Sequence, residues 1–110
     1  MFVINGNRVT LTRGNTFEAV VGMTNRETGE AYVPQEGDVV RFGMKKNAKD
    51  KTCVIEKVIP NDTLALYIAP SETQGLPVGN YVYDLELTYA DGNVDTFVNE
   101  APFILAQDVI

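Results

Sequence analysis

The chain has 110 residues, a hydrophobic share of 45% and a net charge of −6, with no histidine and one cysteine. This is the length of one domain, expected to span residues 1–110, and its acidic balance opposes nonspecific nucleic-acid binding, which requires clustered Lys and Arg. Cys53 alone excludes an intrachain disulfide and a two-cysteine metal or redox motif.

Short alternating runs broken by turn residues predict an all-β sandwich or barrel. Val9 and Leu11 alternate with Arg8, Thr10 and Thr12, which reads as an edge strand. A second strand is expected over 17–23, followed by a polar loop over 24–30. Val40, Phe42 and Met44 alternate with Val39, Arg41, Gly43 and Lys45 as a third. The lysine-rich 47–51 segment reads as a turn. Strands are expected over 53–58 and 64–68, separated by Pro60-Asn61-Asp62. Cys53, in an apolar stretch, reads as a buried small hydrophobe. Residues 71–74, after Pro70, suit one tight helical turn.

The longest alternation comes late. Tyr81, Tyr83, Leu85, Leu87 and Tyr89 interleave with Val82, Asp84, Glu86, Thr88 and Ala90, a period of two that opposes a helix. Asp91-Gly92 then suits a two-residue type I′ hairpin. That turn would place Thr88 opposite Asp95, Glu86 opposite Phe97 and Asp84 opposite Asn99. The returning strand runs over 94–98, breaks at 99–102 around Pro102, and resumes over 103–105. In this register the core faces are Val40, Phe42 and Met44; Leu64, Leu66 and Ile68; Tyr83, Leu85 and Leu87; and Val94, Thr96 and Val98. The segment Leu76-Pro77-Val78-Gly79-Asn80-Tyr81 shifts the balance from barrel to an immunoglobulin-like antiparallel sandwich of about seven strands. Tyr81 fits the tyrosine corner of that fold, its hydroxyl returning to backbone a few residues upstream.

Catalytic chemistry finds little to work with. Without histidine the commonest general base and zinc ligand are missing, and Ser71, the one serine, has no nucleophile-elbow context. No phosphate-cradling glycine pattern and no Asp-x-Asp-x-Asp-Gly calcium loop occurs. Asp84, Glu86 and Asp95 are expected on one outward sheet face. Open carboxylates of that kind lack the desolvation a general acid needs. Arg41 and Lys45 are expected opposite Asp84 and Glu86 as register-fixing charge pairs. Phe97 is then a large apolar group among charges, and the expected partner interface is Phe97 with Asp84, Glu86 and Asp95 around it. No catalytic residue, metal, cofactor or small-molecule substrate is expected.

Charge is unevenly spread. Beyond Lys57 the chain carries Asp62, Glu72, Asp84, Glu86, Asp91, Asp95, Glu100 and Asp108 with no Lys or Arg, either a docking face for a basic partner or a solvated surface neutralised by the first half. The first residues show no signal-peptide pattern, and no run approaches the ~18 apolar residues of a membrane span.

Four stretches carry a family resemblance: Gly37-Asp38-Val39-Val40-Arg41-Phe42-Gly43-Met44-Lys45-Lys46, Asp62-Thr63-Leu64-Ala65-Leu66, Leu76-Pro77-Val78-Gly79-Asn80-Tyr81-Val82-Tyr83-Asp84 and Asp91-Gly92-Asn93-Val94-Asp95-Thr96-Phe97. The chain resembles, over residues 13–105, small proteins encoded among the tail and baseplate genes of phages and prophages of Gram-positive gut bacteria. It is more loosely similar to the immunoglobulin-like N-terminal domain of the phage baseplate upper protein family. These motifs are turns, a tyrosine corner and strand cores. The resemblance implies a virion structural component, assembled in the bacterial host cytoplasm, that contacts other virion proteins or copies of itself. It brings no catalytic residues. Larger relatives add assembly or host-binding domains and this chain stops after the sandwich, so receptor binding is not expected. The alternative is a carbohydrate-binding or adhesion module using Phe97, Tyr32 or Tyr67. It is weakened by the lack of Trp.

Overall fold

In a computed structural model, residues 2–25 and 27–109 are described, residues 2–5 by backbone alone. Arg26, in the expected polar loop, lies outside them. The described residues form eight strands: β1 (Phe2–Asn5), β2 (Arg8–Thr12), β3 (Phe17–Val20), β4 (Val39–Lys45), β5 (Ile55–Ile59), β6 (Ala65–Ile68), β7 (Gly79–Thr88) and β8 (Val94–Ala106). One short helix, α1 (Pro70–Gln74), sits where the helical turn was expected.

The strands make two sheets, one ordered β1-β2-β8-β7-β4-β5 and the other β3-β6. This is an all-β sandwich. The strands β8-β7-β4 take the G-F-C positions of an immunoglobulin-like fold, β3-β6 the B-E positions, and β5 extends the larger sheet. Two features depart from the expected arrangement. β2 is not an edge strand, because β1 folds back on it through a Gly6-Asn7 turn in which Gly6 has φ 62°. β2 also runs parallel to β8, so the large sheet is mixed rather than wholly antiparallel.

The two sheets are joined by aromatic packing. Phe17 of β3 lies 5.9 Å from Phe103 of β8, and Tyr83 stands edge-on to Phe103 at 6.0 Å. Phe42 meets Tyr83 at 5.5 Å. The expected inner faces Val40, Phe42, Met44, Leu66, Ile68, Tyr83, Leu85 and Leu87 are all buried. Leu64 falls outside β6. Its left-handed backbone, φ 53°, turns the chain into the strand, and its carbonyl receives the Val21 N–H at 2.8 Å. The expected strand over 53–58 begins only at Ile55, and Cys53 is half-buried rather than part of the core. Its thiol stands over Gly43, about 3.1 Å from where a β-carbon would lie.

Tyr81 is buried, and its hydroxyl donates to the Pro77 carbonyl at 2.6 Å, the bond of a tyrosine corner. A second buried tyrosine, Tyr83, donates to the Asn7 carbonyl at 2.6 Å and so ties the β1–β2 turn to β7. Helix α1 is fixed by Glu72, whose carboxylate accepts the Ala69 N–H at 2.7 Å and pairs with Lys57 of β5. No helix among the described residues is long and apolar enough to cross a membrane.

Candidate functional site

The β7–β8 hairpin determines where the expected interface residues go. The Gly92 N–H bonds to the Tyr89 carbonyl, the Tyr89 N–H bonds to the Asn93 carbonyl, and Gly92 has φ 94°. This is a three-residue loop, a type I turn closed by a left-handed glycine, rather than the two-residue turn expected. The ladder therefore shifts by one: Thr88 pairs with Val94, Leu87 with Asp95 and Glu86 with Thr96. Because side chains alternate between faces, a one-residue shift reverses the faces of Val94, Asp95 and Thr96.

Two irregularities follow. Leu85 pairs with Val98 although Glu86 pairs with Thr96, so Phe97 is an extra residue inserted into β8. A second shift lies between Leu85 and Tyr83, where Glu100 adopts φ 50° and its N–H is held by the Asp84 carboxylate at 2.6 Å. After it, Ala101, Phe103 and Leu105 face the core and are buried. The expected inner row of Val94, Thr96 and Val98 is corrected at its first two positions: Val94 is 58% exposed and Thr96 is exposed, while Val98 lies opposite Leu85 as expected and is half-buried against the core.

The expected patch of Phe97, Asp84, Glu86 and Asp95 is thereby divided. Asp95 and Phe97 lie on the side of the sheet that carries Leu87, at the end where the hairpin turns. Strands β3 and β6 have four residues each, against ten in β7 and thirteen in β8, so the small sheet leaves this end of the inner face uncovered. The result is an open recess of about 660 Å³. Phe97, Tyr89, Leu87 and Val98 form its floor, Met23, Thr24 and Asn25 border it, and Tyr32, Asn7, Glu27 and Asp95 complete the rim.

Asp84 and Glu86 lie on the opposite face. Arg41 pairs directly with Glu86 across the β4–β7 ladder and Gly43 with Asp84. With Lys45 these residues line a smaller recess of about 270 Å³. The ion pairs among the described residues are Arg13–Asp108 and Lys57–Glu72, neither of them on this face. Asp84 is engaged instead in holding the bulge at Glu100.

One side of the rim is anchored by a residue that sequence reading passes over. Asp38, buried at the start of β4, accepts the Tyr32 hydroxyl, the Gln35 N–H at 2.8 Å and the Ala90 N–H at 3.1 Å. Its carbonyl receives the Asn61 side-chain amide at 2.8 Å. Three loops converge on this one residue. Gly37 allows the approach, since a β-carbon there would stand 2.8 Å from that of Ala90, and its φ is 91°. Tyr32 meets Tyr89 edge-on at 5.9 Å, which carries the anchoring into the recess.

The hydroxyl of Tyr32, followed by the N–H groups of Gln35 and Ala90, holds the Asp38 carboxyl below its ordinary range despite its burial. The reciprocal bond to Asp38, with burial and the nearby negative charge, pushes the Tyr32 phenol up to about 12. At neutral pH the pair is a neutral phenol donating to a carboxylate. Its chemistry is positional, fixing a ring at the edge of a recess. The recess itself offers rings, amides and carboxylates, a lining suited to binding. Among the described residues no group of three or more His, Cys, Asp or Glu side chains is placed to hold a metal ion. Comparison with protein-family models, curated proteins and solved structures finds no match to this chain.

Proposed function

We propose that the chain is a non-enzymatic structural module of a phage or prophage virion, working through protein–protein contacts in the tail or baseplate. Its partner surface is the recess around Phe97, Tyr32 and Tyr89. The observation that carries the contact is the uncovered inner face: an apolar floor continuous with the core, ringed by polar and acidic groups. Protein contact sites combine an aromatic anchor with a polar rim in this way. The virion setting rests on the sequence resemblance. A second reading, a carbohydrate-binding module, is favoured by the same lining, where three rings stand beside the amide groups of Asn7 and Asn25 and the carboxylates of Asp95 and Glu27.

The test is affinity capture from phage-producing cells, with captured chains identified by mass spectrometry, beside a glycan array. Capture of tail or baseplate proteins that is lost in folded Phe97→Ala supports the module. Glycan binding lost in that variant, with no virion protein captured, replaces it with the second reading.

A further inference from the structure

We infer that copies of this chain associate head to tail, the lysine-rich β4–β5 loop of one copy docking on the recess at the opposite pole of the next. The inference rests on the reading of the recess as a protein contact and names its occupant.

The two poles are set by the sheet. Strand β4 runs from Val39, paired with Thr88 beside the β7–β8 turn, to Lys45, paired with Val82 near the start of β7. At the second end residues 45–51 carry Lys45, Lys46, Lys49 and Lys51 against Asp50. Lys46 is committed, its ammonium donating to the Asn80 carbonyl at 3.0 Å and lying 4.7 Å from the centre of the Tyr81 ring. Lys49 and Lys51 are exposed and make no ion pair among the described residues.

The first end is the reverse. The loops meeting there expose Glu27, Glu30, Glu36, Asp62 and Asp91, and Asp95 is exposed beside them at the start of β8. Even with Arg26 counted from the sequence, residues 21–38, 60–64 and 89–95 hold seven acids, Asp38 included, to one basic residue. Seven strand residues separate the poles by about 20 Å, at ~3.3 Å per residue. The Debye length at physiological ionic strength is about 8 Å, so neither pole neutralises the other within one molecule. Another copy supplies both complements.

The recess also matches a lysine in chemistry. Its lining holds three aromatic rings, the kind of side chain that Lys46 meets at Tyr81 inside the chain, and Asp95 and Glu27 supply counter-charge. Joining two different patches leaves one of each free, so the association propagates into a ring or a filament rather than closing as a symmetric dimer.

Sedimentation velocity of the purified chain across a concentration series, at low and at physiological salt, is the test. The wild type should form species larger than the monomer that weaken as salt is added. Two folded variants, Lys49→Glu/Lys51→Glu and Glu27→Lys/Asp95→Lys, should each be monomeric. Mixed in equal amounts they should associate again, since the native lysine loop of the second fits the native recess of the first. Phe97→Ala, which changes no charge, should also weaken the association and serves if either reversal variant fails to fold by circular dichroism. A wild type monomeric throughout, or association that survives both reversals, would overturn head-to-tail docking. If that monomer still captures virion proteins through Phe97, the recess stands as a contact site and only its occupant changes.

Discussion

Leu87 faces Asp95 across the β7–β8 ladder, a buried leucine beside an exposed carboxylate. That pairing, one residue away from the register a two-residue turn would give, puts Phe97 over the inner face and leaves Glu86 on the outer one. Substitutions on the two strands should separate accordingly. Leu85→Ala, which empties a buried site, should cost ~2–5 kcal/mol, enough to threaten so small a domain. Glu86→Ala should change stability by less than about 1 kcal/mol. Val94→Ala, at an exposed position, should also stay within ~0.5 kcal/mol. Denaturant melts of the three variants check this order, and a Val94→Ala cost in the range of Leu85→Ala would restore the other register.

The tyrosine corner is open to a one-atom test. Tyr81→Phe removes the hydroxyl that donates to the Pro77 carbonyl and should lower stability by about 1 kcal/mol, the net contribution of one such bond. An unchanged unfolding midpoint would mean that the hydroxyl is solvated.

Much of the sandwich is legible before the structure. The alternation of β4 and β7 identifies two strands and their buried faces, since period two leaves no competing reading. The tyrosine corner depends on a spacing of four residues, and Tyr81 and Pro77 stand at it. What the sequence does not decide is longer in range. Asp-Gly serves a two-residue loop and a three-residue loop alike, and the choice between them reverses the faces of the first residues of β8. The bulge at Glu100 needs the Asp84 carboxylate from across the ladder, and Asp38 finds Ala90 fifty-two positions away. Such contacts leave no local pattern. β1 is different: Gly6-Asn7 is a local hairpin signal that a reading focused on later strands passes over.

Glu100 offers a stabilising change. Its left-handed backbone, φ 50°, costs a residue with a β-carbon ~1–2 kcal/mol. Glycine removes that cost but adds unfolded-state entropy of ~0.5–1 kcal/mol. Glu100→Gly should therefore raise stability by about 0.5–1 kcal/mol, and Glu100→Val should lower it. A melting series of the three proteins tests the pair. Equal destabilisation by both would show that the Glu100 side chain, rather than its backbone, matters.

The Tyr32–Asp38 bond fixes two limits on stability. Asp38 titrates below its ordinary value of 3.8 in the fold, so its contribution is present above that value and is lost as pH falls through the lowered one. Tyr32 is raised from 10.0 to about 12, so its contribution is complete below pH 10 and is lost as pH rises toward 12. Burial raises Tyr81 and Tyr83 as well, and they share the alkaline loss. The difference between wild type and Tyr32→Phe isolates the pair. The variant should be less stable near neutrality and should lose less stability on both limbs. Parallel stability–pH curves would contradict the linkage.

The claim that a partner sits in the recess is tested most directly by nuclear magnetic resonance, adding a captured virion protein to the isotopically labelled chain. Methyl and ring resonances of Met23, Leu87, Tyr89 and Phe97 should shift, while those of Val58 and Val82 on the outer face stay in place. Shifts at Val58 and Val82 with the recess undisturbed would contradict the account and move the contact to the face shared by Arg41 and Glu86.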